Sequence, residues 1–505
     1  MVSRSAGRAR RRRGGARYRR GVRTTARGQA AARPAAPPAP RVPGRAGLPP
    51  VLGIYRDRLA FYERVHRECG DVGRLAIAVP PARRDLHVVM HPDGVRHVLA
   101  GDRGRYGKDS PVYRELRASI GSGLLTAQDE DWERQKRMLQ PLFTPRRVAG
   151  YAGVMAAEAR TLVSSWRREA AAGRPVDLHA GGFPYTLRVV GRLLLGTALD
   201  DVVDVVARTA DPVQRHLMLR GLSPVALPRR FPLPGGRAAG QHRQDLYDAV
   251  DAVIARAAAA SHGPAGGGAV GDLALGDLAV GDEPVDLLTL LLRARDPADG
   301  SALSAQEVRD QVLVFLLAGH ETTAAALTYT FHLLGRHPDV QRRVRAEATA
   351  AGDDGTGLEY TTRVVQEAMR LYPPVPHVGR NARADDVVLG CHVRAGDAVV
   401  MPMWVLHRDA RWWPDPLRFD PDRFDPERAG DAGPAGRHRY AYLPFGAGPR
   451  TCIGARFALL EAAIAVAAVT RELAVTAAGD LPALFAGITL RPRGPVLGRL
   501  DVVSA

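Results

Sequence analysis

A stretch of roughly 30 residues, from Ser304 to Arg336, is apolar nearly all round and stops at His337-Pro338. As a helix it would be about 45 Å long at 1.5 Å per residue. A helix without a polar face has to run through a core. Its start is marked by Ser304-Ala305-Gln306-Glu307, a capping box in which the serine and the glutamate each satisfy an orphan backbone N–H. Further helical periodicity lies over 59–68, 132–143 as far as Pro141, 154–166, 187–195, 245–260, 339–350, 360–371 and 455–472, and 86–90 alternates like a strand. The chain therefore reads as mainly α with small β elements.

Charge is unevenly placed. The formal net charge is +18, yet residues 1–50 hold fourteen Arg and no Asp or Glu, which leaves about +4 for the rest. The high isoelectric point thus reports a tail. Lys108 and Lys136 are the only lysines, so GC-rich codon usage accounts for much of the arginine. Contact of the tail with nucleic acid or an acidic membrane, and a translation start placed too early, stay open. Residues 1–42 lack apolar periodicity and read as a disordered Arg/Pro/Ala-rich tail, with one continuous domain over 43–505. A Gly/Ala-rich stretch at 261–284, with a small Gly-Asp-Leu repeat, reads as a flexible insertion, and Pro224, Pro228, Pro232 and Pro234 make a loop.

No apolar segment follows the basic start, so no signal peptide is expected. The apolar runs 312–318 and 462–469 are shorter than the roughly twenty residues a bilayer requires. Cys69, Cys391 and Cys452 are odd in number and widely separated, which excludes a disulfide framework and suits a reducing cytoplasm.

The densest chemical signal is Phe445-Gly446-Ala447-Gly448-Pro449-Arg450-Thr451-Cys452-Ile453-Gly454. Two glycines and a proline force a tight loop, and a helix follows Cys452 directly. The helix N-terminus and Arg450 are expected to lower the thiol pKa. Gly454 leaves space for a flat group to approach. A lone cysteine in such a loop is ordinarily structural. The complete pattern Phe-x-x-Gly-x-Arg-x-Cys-x-Gly, however, resembles the haem-binding loop of the cytochrome P-450 family. That resemblance covers the chain from about Pro43 onward. It implies a triangular prism of helices with small β-sheets around a buried haem b, and Cys452 as the thiolate ligand of its iron, with Phe445, Gly448, Arg450 and Gly454 forming the cradle.

Other segments match the same family. The long helix carries Ala318-Gly319-His320-Glu321-Thr322-Thr323. A carboxylate and a hydroxyl in mid-helix are locally unfavourable unless they are used. The segment is similar to the family's oxygen-binding groove, which implies that Thr322 hydrogen-bonds dioxygen, Glu321 relays protons, and His320 faces away. Glu367 and Arg370, three apart on a helix, would be surface decoration in isolation. With Arg423 they resemble the family's buried Glu–Arg–Arg network. Trp132 and Lys136 resemble its propionate-binding Trp-x-x-x-Arg element, and Arg137 competes with Lys136 for that role. Arg380 and Arg450 are further propionate candidates, and His377 joins the cofactor set.

The implied reaction is insertion of one atom of dioxygen into a hydrophobic small molecule. Electrons are expected from a separate ferredoxin and its reductase, because no flavin or iron–sulfur domain follows. A monomer without a stable nucleic-acid partner or membrane span is expected. By resemblance the pocket draws on residues 106–128, the helix face at Phe315, Leu316 and Ala318, the segment 375–379 and the turn 485–488. Apart from His377 these offer mostly apolar side chains, with no charge for a carboxylate unless Arg114 or Arg117 turns inward. A terpenoid is the substrate expected first and a polyketide or macrolide second. A peroxide-using or isomerising haem-thiolate enzyme, and a non-catalytic haem or nucleic-acid binder, are the rival readings.

Overall fold

The computed structural model describes residues 36–43, 51–79, 82–101, 104–195, 200–221, 235–261, 286–427 and 437–503. Its axis is the expected rod, a 32-residue helix Ala305–Arg336. Both capping-box bonds form: Glu307 N donates to Ser304 Oγ at 3.2 Å, and Ser304 N to Glu307 Oε2 at 2.8 Å. Among the described helices this one alone is long and apolar enough to cross a bilayer, and 72% of that stretch is buried inside the fold.

Helices wrap the rod because every face of it is apolar. Leu178–Leu195 lies along it, with Ala455–Glu472 and Glu359–Leu371 on other sides and Ala152–Ala171 behind. Val163, Phe331, Val365 and Val466 share one core cluster. Nearer the start of the rod, Leu187, Val190, Val250 and Val312 share a second. Gly319 sits where Val190 packs, and a Cβ there would come within 3.0 Å of Val190 Cγ2. The glycine thus lets two helices close together.

Beside the helices lies a five-stranded sheet in the order Val72–Val79, Ala82–Val89, Ala398–Met401, Val378–Ala382, Tyr106–Gly107. The second and third strands pair in parallel, the others antiparallel. This sheet matters for function because Arg380 lies on its fourth strand and Lys108 directly follows its fifth.

Several elements differ from expectation. Leu178–Leu195 starts earlier than 187 because it runs through Pro184. Pro92–Ala100 and Pro111–Ile120 are short helices with proline in the first turn and His91 or Ser110 as cap, signals too local for a periodicity search. Residues 37–42 pack on the fold: Ala39 and Val42 are buried, Val42 N donates to Arg74 O at 2.9 Å and Arg74 N to Pro40 O at 2.7 Å. Extended chain of this kind is held by backbone bonds and needs no apolar period. The rest of the tail at 1–35, the insertion expected at 261–284 apart from Ser261, and the prolines of 224–234 lie outside the described residues.

Candidate active site

The cysteine loop is held from beneath. Glu367 and Arg370 are fully buried and form a bidentate pair, Nε to Oε2 at 2.7 Å and Nη2 to Oε1 at 2.8 Å. Arg423 Nε adds a second cation 3.3 Å from Glu367 Oε1. Arg370 also donates to the carbonyls of His407 at 2.8 Å and Pro416 at 2.7 Å. His407 in turn accepts a bond from Leu443 N at 2.8 Å through Nε2. Burial and the nearby Arg370 push the His407 pKa down to about 3, so the ring is neutral and free to accept. The pair that could have been decoration is thus the root of a chain ending two residues before Phe445.

From there the loop folds tightly. Gly446 and Gly448 have φ of 70° and 73°, the left-handed region that favours glycine. Gly448 also presses on the end of Pro92–Ala100, where a Cβ would stand 2.1 Å from Leu99 O. Its role is therefore in loop geometry, and it does not line the cavity. Cys452 N donates to Phe445 O at 2.9 Å and closes the loop. The Cys452 sulfur opens onto a cavity of about 1130 Å³. Burial raises its thiol pKa, against the pull of the Gly454 N–H and Lys108. The lowered pKa expected from Arg450 is not found in the protein alone, because desolvation outweighs both of those effects.

Opposite the loop, the middle of the rod supplies Ala318, Gly319, Glu321 and Thr322 to the same cavity. Thr322 Oγ1 donates to Ala318 O at 2.7 Å. Glu321 accepts bonds from Thr489 and Arg491, both on the last hairpin. Burial raises the Glu321 pKa, but these partners more than offset it and hold the carboxyl below its usual range. His320 faces away, bonded to Leu316 O and edge-on to Phe183 at 4.7 Å.

A third wall is cationic. Lys108, Arg380, Arg450 and Lys136 all line the cavity together with Trp132. Lys136 Nζ donates to Pro449 O at 2.6 Å, and Arg450 Nη1 to Ala127 O at 2.8 Å. Both side chains lie over the Trp132 ring, at 5.2 Å and 4.4 Å. Arg137 turns away to an ion pair with Asp296 at 2.8 Å. Among the described residues no carboxylate pairs with Lys108, Arg380 or Arg450. Burial and the mutual repulsion of these cations push Lys108 well below the ordinary lysine value, and Arg450 down to about 10. Lys108 escaped the sequence reading because nothing local distinguishes it.

The expected pocket residues divide. Phe315, Ala318, Val375, His377, Val378 and Ile488 line the cavity. Leu316 is buried in the core behind the rod, and Phe485 faces outward under Arg493 at 5.2 Å. Arg114 borders the cavity but pairs with Asp109 at 3.3 Å. Arg117 bonds the carbonyls of Thr126 and Lys108. The charge expected to be missing is supplied by Arg58, which lies in the cavity wall at 7% exposure.

Two buried cations, Lys108 and Arg380, and the half-buried Arg450, with no carboxylate partner among the described residues, call for a ligand bearing carboxylates. A Cβ built on Gly454 would meet nothing nearer than 3.9 Å and would stand 4.0 Å from Cys452 Sγ, so the ledge beside the sulfur is clear. A thiol, a clear ledge and a basic wall together fit a flat dicarboxylate macrocycle whose metal takes a thiolate.

Comparison with known proteins agrees. The cytochrome P450 family model matches residues 51–494. A cyclooctat-9-en-7-ol 5-monooxygenase of Streptomyces melanosporofaciens is 33% identical over 84% of this chain and 87% of its own length. A pentalenene oxygenase of Streptomyces avermitilis is 30% identical over 86% of this chain and 91% of its own length. The crystal structure of the cytochrome P450DA heme domain superposes with a TM-score of 0.77 at 27% identity, covering 92% of this chain and 98% of that one.

Proposed function

The chain belongs to the cytochrome P450 family, and on that footing we propose that it inserts one atom of dioxygen into a terpenoid. The family and fold bring a cysteine-ligated haem b, and the protein is an oxidoreductase. The observation that carries the substrate reading is one cavity shared by Cys452, Thr322 and a mainly apolar wall of Phe315, Leu317, Val375, Val378 and Ile488. An apolar pocket with few polar anchors suits a terpenoid skeleton. Two relatives named for oxidation of cyclooctatin-type and pentalenene skeletons support the same substrate class.

When bound, the haem supplies the activation of dioxygen, favoured by electron density from the thiolate. Cys452 Sγ would bind its iron, and Arg380, Arg450, Lys136 and Lys108 would hold its propionates beside Trp132. Thr322 presents its hydroxyl at the cavity wall, where it would hydrogen-bond dioxygen. Glu321 would pass protons inward through Oε2, while Arg491 and Thr489 hold its Oε1 and keep the carboxylate in place. The reducing equivalents come from a ferredoxin and its reductase as separate proteins, and the enzyme works as a cytoplasmic monomer.

The test is turnover of the haem-loaded enzyme with ferredoxin, reductase and a panel of cyclic sesquiterpenes and diterpenes under isotopically labelled dioxygen. One labelled oxygen per product supports the reading. Turnover of polyketides in place of terpenoids, or product labelled only from peroxide, overturns it.

A further inference from the structure

Arg58 is the first residue of helix Arg58–Cys69, behind the Asp57 cap. Its Nη1 donates to Ala486 O at 2.6 Å. Its Nε is buried and has no acceptor among the described residues. Nor does Nη2 make a bond there, or any carboxylate an ion pair with the group. Asp85 also borders the cavity but is held by Arg74 at 2.8 Å and Arg394 at 2.7 Å. One edge of a buried guanidinium, Nε and Nη2, is thus left unmatched, and such a group is costly to bury without a partner.

Two more polar groups stand beside it. Tyr62, one turn along the same helix, is buried, lines the cavity and makes no hydrogen bond through its hydroxyl among the described residues. The His377 ring lies 5.7 Å from Tyr62 and also lines the cavity, with a buried Nδ1 that has no partner. Burial and Arg58 push the His377 pKa down to about 3, so the ring is neutral and adds no second charge. Among the described residues no contact links His377 to the basic wall of Lys108, Arg380 and Arg450, whereas Tyr62 and Arg58 stand beside it.

We propose that Arg58, with Tyr62 and His377, forms a carboxylate subsite in the substrate cavity, and that the substrate is an apolar terpenoid acid. The Nε–Nη2 edge offers two parallel N–H groups, the spacing that a carboxylate takes bidentately. The Tyr62 hydroxyl supplies a further donor. The wall of Phe315, Leu317, Val375, Val378 and Ile488 is apolar, so the acid anchors one end of the molecule while its hydrocarbon part extends along that wall. The terpenoid half of the proposal rests on the reading given under Proposed function; the carboxylate half rests on Arg58.

The test is a Soret-shift titration of the haem-loaded protein with geranylgeranoic acid, its methyl ester, geranylgeraniol and palmitic acid at neutral pH. The acid is expected to bind about 10- to 100-fold more tightly than the ester, the range of one charge-assisted pairing. Arg58→Met should bring that ratio close to one and Arg58→Lys should lower it. A distorted cavity would weaken acid and ester alike and leave the ratio unchanged. An equal affinity for acid and ester in the native protein, or a ratio that survives Arg58→Met, overturns the subsite. Binding of ester and alcohol without preference for the acid leaves the terpenoid reading standing and removes the subsite. Palmitic acid binding as tightly as geranylgeranoic acid, with the same dependence on Arg58, keeps the subsite and removes the terpenoid. No spectral response to any of the four overturns both.

Discussion

Arg491 and Glu321 form an ion pair that ties the last hairpin to the middle of the long helix, and Thr489 donates to the same carboxylate oxygen. The sequence separation is 170 residues, so the link exists only in the folded chain. It lowers the Glu321 pKa below the ordinary value near 4.5. A depressed carboxylate pKa adds stability that is complete above the ordinary value and is lost as pH falls through the folded value. The native protein should therefore lose stability below about pH 4.5 more steeply than Glu321→Gln. Urea midpoints of the two proteins from pH 3 to pH 7 (about four points) read this directly. Parallel curves would contradict the pairing.

Thr322 bears on coupling more than on binding. Thr322→Ala should bind haem and substrate normally but release reducing equivalents as hydrogen peroxide, because the hydroxyl at the cavity wall is gone. Product formed per reductant consumed should fall several-fold. Unchanged stoichiometry would remove Thr322 from proton delivery.

The basic wall makes opposite predictions for the two forms of the protein. Lys108 is buried against Arg380 and Arg450, so Lys108→Met should make the haem-free protein melt at a higher temperature. The haem-loaded variant should lose haem about tenfold faster, the loss of one charge-assisted contact. Melting of the haem-free form and haem transfer to apomyoglobin measure the two effects. A variant that holds haem as tightly as the native protein would show that Lys108 meets no propionate.

Much of this site was legible before any coordinates, for reasons that can be named. The capping box at Ser304 and Glu307 is a local signal, and both its bonds form. The end helix at 455–472 was bounded correctly because a glycine-rich loop precedes it and its apolar period is unbroken. Gly446 and Gly448 adopt the positive φ that their loop demanded. What escaped were residues whose meaning is given by distant neighbours. Arg58 looks like any first-turn arginine until Ala486, 428 residues away, takes one side of its guanidinium. Lys108 and Arg491 are likewise single cations on unremarkable segments. Arg58 lies outside the loop and helix motifs that resemble the family's, so nothing in the sequence marks it as a carboxylate anchor of the pocket. Residues 37–42 share the composition of the tail, and the backbone pairing that holds them on the fold cannot be seen in composition.

The Glu367–Arg370 pair should behave as a structural keystone. Both side chains are fully buried, so either alanine variant leaves an unpaired charge inside the protein. Each should lose about 3–5 kcal/mol of stability and yield little folded holoprotein. Chemical denaturation and the yield of haem-loaded protein are the readouts. A loss below about 1 kcal/mol, the range of exposed pairs, would contradict the role given to this network.

The central claim is that Cys452 is the thiolate ligand of a haem, and the reduced, carbon-monoxide-bound difference spectrum tests it most directly. The native protein should absorb at about 450 nm, as a thiolate-ligated haem does. Cys452→Ser should retain the cavity and its basic wall but lose that band. A band of undiminished intensity in Cys452→Ser would contradict the assignment.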